Sequence, residues 1–101
     1  MSQSLYTLKL TPTIANEWQS RCIGGVIPEL DGYAIEPGRK IMVDRATVGQ
    51  IIDDCKFMAD PKAVDCSPAE RRAYRAFLAQ CERALAIGPV EVAADLPWRA
   101  L

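Results

Sequence analysis

The sequence predicts a small α+β protein in which three helices pack on a small antiparallel sheet arranged as a meander. Three patterns support this fold class: an alternating apolar segment near the N-terminus, apolar stripes at helical spacing, and turn pairs rich in glycine and proline. The chain has 101 residues, of which 50% are hydrophobic and 25% are charged. This is ordinary globular composition, and the length predicts one domain over residues 1–101.

The N-terminal segment predicts a strand followed by a helix. Residues 5–10 alternate, which places three apolar side chains on one face: Tyr6, Leu8 and Leu10. Thr11 then has the residue type of a helix cap, and Pro12 suits the first helical position. The apolar stripe of this helix is expected at a spacing of four, at Ile14, Trp18 and Cys22. The pair Gly24-Gly25 is expected to end the helix.

The middle of the chain predicts the sheet. Segments 26–30 and 33–36 flank Asp31-Gly32, which favours a tight hairpin turn. Pro37-Gly38 predicts a second turn, and residues 40–43 predict a third strand. These three segments would form the meander.

Two longer helices follow. Asp44 is expected to cap a helix over residues 45–59, whose buried face comprises Val48, Ile51, Ile52, Cys55 and Met58. Ser67, followed by Pro68 and Glu70, has the pattern of a capping box and predicts a helix to about residue 86. Its buried face comprises Tyr74, Phe77, Leu78, Cys81 and Leu85. In the tail, residues 90–92 predict a short strand, and Trp98 is expected to require a site of burial.

Charge and cysteine content exclude several function classes. The net charge is −1 and the sequence pI is about 5.3, so no overall basic field favours nucleic acid. The four cysteines form no C-x-x-C motif and the chain has no histidine, which predicts neither a metal site nor a cofactor. With no signal-peptide pattern and no long apolar run, we expect a reduced cytoplasmic protein. Cys55 and Cys81 should be buried, whereas Cys66, just before a helix cap, should be exposed and reactive if any thiol is.

The last helix supplies the first candidate binding surface. Arg72, Arg75 and Arg83 fall on its outer face, with Ala76 and Ala79 between them. Guanidinium groups match carboxylates and phosphates in geometry, so this face could hold either. The alternative is a solvated helix face without a binding role, because arginine is also a good helix former.

Phe57 supplies the second candidate surface. The helical period places its ring away from Val48, Ile51 and Cys55 and towards Gln50 and Asp53. An aromatic ring on a polar face suggests a contact with a partner. The alternative is that the tail or the sheet covers this side of the helix.

Enzymatic activity is not expected, and no catalytic residue is assigned. Asp53 and Asp54 are neighbours on a helix, so their side chains point about 100° apart and cannot serve one site together. Without histidine, a Ser or Cys nucleophile also lacks its usual base.

Residues 37–46 and 70–78 resemble small open reading frames of temperate phages and prophages. The resemblance covers less than a third of the chain and includes no diagnostic motif. It implies an accessory protein that binds and inhibits a host protein, as anti-CRISPR proteins do. The leading hypothesis is therefore a non-enzymatic binder of a host protein with an acidic surface, and a homodimer stays open. The alternative is a small regulator that binds nucleic acid through the last helix.

Overall fold

The computed structural model describes residues 2–93. In chain order the elements are β1 (Ser2–Lys9), α1 (Pro12–Ser20), α2 (Ile23–Val26), a short 3-10 helix (Pro28–Leu30), β2 (Lys40–Val43), α3 (Arg45–Ala59), α4 (Pro68–Ile87) and β3 (Val90–Ala93). Three of the helices are long, and they pack on a three-stranded antiparallel sheet. The predicted α+β fold class is confirmed, whereas the predicted meander is wrong, because β1 lies between β2 and β3.

The sheet has the order β2-β1-β3, so the N-terminal strand lies at its centre. β2 pairs with residues 6–9 of β1, and β3 pairs with residues 2–5. The alternating side chains of β1 are buried as predicted, at Tyr6, Leu8 and Leu10. The β3 pairing ends at Leu5, and further along β1 the Gln80 side chain of α4 binds the strand backbone. This side chain accepts from the backbone N–H of Lys9 at 2.6 Å and donates to the Lys9 carbonyl at 3.1 Å.

The strands predicted at residues 26–30 and 33–36 are wrong. This region forms α2, the 3-10 helix and a turn, and β2 pairs with the distant β1. Its apolar residues reach the core at helical spacing, at Ile23, Ile27 and Leu30. The strand prediction recognised these residues as apolar, but they are buried at the spacing of a helix and not at the alternating spacing of a strand.

The end of α1 also differs from the prediction. The helix stops at Ser20, and Cys22 adopts a left-handed backbone with φ of 51°. Cys22 is consequently exposed and does not extend the stripe of Ile14 and Trp18. Gly24 and Gly25 lie inside α2, so the backbone reversal precedes them.

The three predicted caps are present. The Thr11 hydroxyl accepts from the backbone N–H of Ile14 at 3.4 Å, and Asp44 Oδ1 accepts from that of Thr47 at 2.8 Å. Ser67 and Glu70 form the full capping box, with hydrogen bonds of 3.2 Å and 3.3 Å in the two directions. Each cap satisfies backbone N–H groups that a helix start leaves without an intrahelical partner.

The core lies where the three long helices meet the sheet. The largest fully buried side chains are Trp18, Tyr74 and Phe77. The Trp18 and Phe77 rings meet edge to face, 5.4 Å between centroids, which joins α1 to α4. β3 confirms the strand predicted at 90–92, whereas Trp98 lies outside the described residues.

Candidate functional site

The arginine surface, defined as Arg72, Arg75 and Arg83 of α4, is exposed as the helical period predicts. Within residues 2–93 none of the three forms a hydrogen bond or an ion pair. Ala76 is exposed between them and Ala79 is half-buried. Three guanidinium groups are therefore available to a partner, on a helix whose opposite face is committed to the core.

Glu82 interrupts this surface. It is exposed and adjacent in sequence to Arg83, and it lies two turns from Arg75. A carboxylate at this position weakens the local positive potential, which would oppose a phosphate backbone more than a mixed protein surface.

Phe57 lies on a different helix, α3, and its ring is 56% exposed. The alternative in which the sheet covers it is therefore wrong, whereas the tail beyond residue 93 lies outside the described residues. Gln50 and Asp53 lie on the same face of α3, seven and four residues before Phe57, as the sequence predicted.

An acidic cleft of about 400 Å³ lies beside that face, between α3 and the segment that joins α2 to the 3-10 helix. We define it by six of its lining residues, which are Val26, Pro28, Glu29, Gln50, Asp53 and Asp54. Asp53 and Asp54 thus line one cleft, contrary to the expectation that neighbours on a helix cannot face one site. Val26 is 53% exposed at the cleft. The sequence did not reveal this cleft because the segment carrying Val26 and Glu29 was assigned to a strand.

A further polar cluster joins three helices and was not predicted from the sequence. Arg21, just after α1, forms two parallel hydrogen bonds with the Asp54 carboxylate of α3, at 2.9 Å and 2.6 Å. The same guanidinium donates to the Tyr74 hydroxyl at 3.1 Å, and that hydroxyl donates to Glu17 Oε1 at 3.1 Å. Three helices are thus joined by one partly buried network.

The environment shifts the pKa values of this network. Hydrogen bonds with Asp54 raise the pKa of Arg21 further above its already high value. Burial raises the pKa of Tyr74 and also that of Glu17, to which the nearby Glu70 adds. The network therefore holds an ion pair between Arg21 and Asp54 and a hydrogen-bonded phenol whose pKa is raised.

One signal in the sequence could have indicated Arg21. Ile14, Trp18 and Arg21 have the spacing i, i+4, i+7, which places Arg21 on the buried face of α1. A charged residue on an apolar stripe requires a partner, and an aspartate on a neighbouring helix can supply it. The identity of that aspartate depends on how α1 and α3 pack.

All four cysteines are free thiols, and the prediction for Cys66 is wrong. Cys66 is only 7% exposed, and burial raises its pKa instead of lowering it. Cys55 and Cys81 are buried as predicted; burial raises the pKa of both, that of Cys81 to about 12. The exposed thiol is that of Cys22, because the left-handed backbone of this residue directs its side chain away from the apolar stripe of α1.

Residues 2–93 contain no group of three histidine, cysteine or acidic residues placed to hold a metal ion. Over the same residues, none of the helices has the length and apolar content to cross a membrane. The comparisons with protein-family models, with curated proteins and with solved structures found no match to this chain.

Proposed function

We propose that this chain is a non-enzymatic protein-binding module that contacts an acidic partner through the arginine surface. The observation that carries the proposal is the state of Arg72, Arg75 and Arg83, which are exposed and unpaired within residues 2–93. The chain has 13 acidic residues, yet the described carboxylates leave these three cations free. Exposed guanidinium groups on one helix face can form bidentate contacts with the carboxylates of a partner.

The resemblance to phage accessory proteins supports a host protein as the partner and inhibition as the outcome, in the host cytoplasm. The chemistry of the thiols supports a binder over an enzyme. Cys55, Cys66 and Cys81 have raised pKa values, which makes them poor nucleophiles at neutral pH, and the chain has no histidine to activate them.

The test is affinity capture from host lysate with a matched pair of variants. One variant carries Arg72→Glu and Arg75→Glu; the control carries Arg45→Glu and Lys62→Glu, which makes the same charge change at exposed sites elsewhere. A partner captured by the parent protein and the control, but lost from the first variant, supports the proposal. Equal capture by all three would contradict it.

The alternative, a nucleic-acid-binding regulator, uses the same arginines and is separated by salt. Binding to a phosphate backbone should weaken steeply with salt concentration, because each neutralised phosphate releases counterions. Fluorescence anisotropy with a labelled 20-base-pair duplex measures this slope. Specific binding with a steep slope that Arg75→Glu reduces would favour the alternative.

A further inference from the structure

The acidic cleft has two carboxylates that the fold leaves without a cation. Asp54 is neutralised by Arg21. Glu29 accepts only from the neutral amide of Gln50 at 3.3 Å, and within residues 2–93 neither Glu29 nor Asp53 forms an ion pair. The cleft therefore presents two uncompensated negative charges to whatever enters it.

Apolar side chains lie at and beside the same cleft. Val26 lines it and is 53% exposed. Phe57 is 56% exposed and follows Asp53 by one helical turn, which makes the two residues neighbours on the surface of α3. A recess with carboxylates inside and large apolar groups at its border is chemically distinct from a solvated helix face.

We propose that the acidic cleft binds a segment of a partner protein in which an arginine or lysine is flanked by apolar side chains. The cation pairs with Glu29 and Asp53, its aliphatic stem lies along Val26, and the flanking apolar group covers Phe57. Charge and shape select this occupant: an acidic segment would be repelled, and a purely polar one would leave both apolar groups in water. The site uses none of the residues of the arginine surface and stands independently of the function proposed above.

The arginine surface of a second copy fits the cleft less well than such a segment does. The arginine surface has the required positive charge, but the side chains between its arginines are Ala76 and Ala79. Alanines offer little apolar area to cover the Phe57 ring. The arginine surface therefore supplies the positive charge that the cleft requires but not the apolar group that would cover Phe57.

The experiment is an NMR titration of the full 15N-labelled chain with two acetylated, amidated pentapeptides. The probe has the sequence Ala-Leu-Arg-Leu-Ala, and its partner replaces arginine with glutamate. We expect the arginine peptide to shift amide signals at residues 26–29 and 50–57, with a dissociation constant on the order of 1 mM. The glutamate peptide should leave these signals in place.

Two matched pairs of variants test the two halves of the site. Removing both charges with Glu29→Gln and Asp53→Asn should weaken the arginine peptide at least ~5-fold, whereas Asp65→Asn with Glu82→Gln, the same change in net charge elsewhere, should leave it unchanged. Phe57→Ala should weaken it ~3-fold, and Ile87→Ala, at a side chain that is 86% exposed, should not.

Several results would overturn the proposal. Equal shifts from both peptides, shifts confined to residues outside the cleft, or equal weakening by the test and control variants would each remove it. Sedimentation of the chain alone tests whether a second copy of the chain occupies the cleft. A dimer that dissociates in the Glu29→Gln and Asp53→Asn variant would assign the cleft to a second copy.

Discussion

Arg21, just after α1, and Arg75, in the middle of α4, carry the same guanidinium group in opposite environments. Arg21 is held by two hydrogen bonds to Asp54 and one to Tyr74. Arg75, like Arg72 and Arg83, is exposed and has no partner within the described part of the chain. One arginine is part of the structure and three are available to something else, a distinction that arginine content alone does not make.

The difference between the two arginines follows from the carboxylates near each one. The Asp54 carboxylate is only 9% exposed, so its charge requires a partner inside the fold, and Arg21 supplies a bidentate one. Among residues 2–93, no carboxylate forms an ion pair with Arg72, Arg75 or Arg83 on the outer side of α4. Four predictions test this division, in order of decreasing expected effect.

The largest effect should be in thiol reactivity around the Arg21 network. Cys22, next to Arg21, is exposed, whereas Cys55 is fully buried on α3, the helix that packs chiefly against α4. We expect an aromatic disulfide reagent to modify Cys22 on the order of 100-fold faster than Cys55 in the native state, since reaction at Cys55 requires opening of the core. Mass spectrometry of partly labelled protein measures both rates, and comparable rates would mean that Cys55 is not buried in the core as described.

Arg21→Ala should destabilise the protein by about 2 kcal/mol, because it leaves the Asp54 charge and the Tyr74 hydroxyl poorly satisfied. Chemical denaturation measures the loss. Arg21→Lys should restore part of it, since lysine keeps the charge but not the paired geometry. The matched control is Arg72→Ala, where a loss as large as that of Arg21→Ala would erase the distinction between the two regions.

Ser67→Ala should cost ~1 kcal/mol, because the first turn of α4 loses its side-chain acceptor while the arginine surface stays unchanged. Partner binding per folded molecule should therefore be retained. A change in stability below ~0.3 kcal/mol would show that the capping box does not stabilise α4.

Arg75→Glu should change the free energy of unfolding by less than ~0.5 kcal/mol, because an exposed side chain without a partner leaves nothing unsatisfied. The same variant should weaken binding to an acidic partner by more than ~1 kcal/mol if the guanidinium is desolvated at the contact. Denaturation followed by circular dichroism gives the first number, and calorimetry with the captured partner gives the second. A large loss of stability would mean that Arg75 belongs to the structural class, as Arg21 does.

Parts of the candidate sites could be predicted because the position of a residue in a helix fixes the face on which its side chain lies. The exposure of Arg72, Arg75, Arg83 and Phe57 follows from the 3.6-residue period once the buried stripe is known. The acidic cleft could not be predicted, since Val26 and Glu29 reach α3 only through the packing of α2 and the 3-10 helix. The same holds for Cys66, whose position before a cap suggested exposure although tertiary contacts bury it.

The sequence by itself determined the fold class, the three capped helices, the inward face of β1 and the outward face of α4. Each depends on interactions within about one or two turns, where residue type and period decide the outcome. Only the tertiary structure decided that β1 lies between β2 and β3, that residues 23–30 are helical, and that Arg21 binds Asp54. Those choices join residues that are far apart in the chain, and their free energy comes from shared burial and desolvation, which no local pattern records.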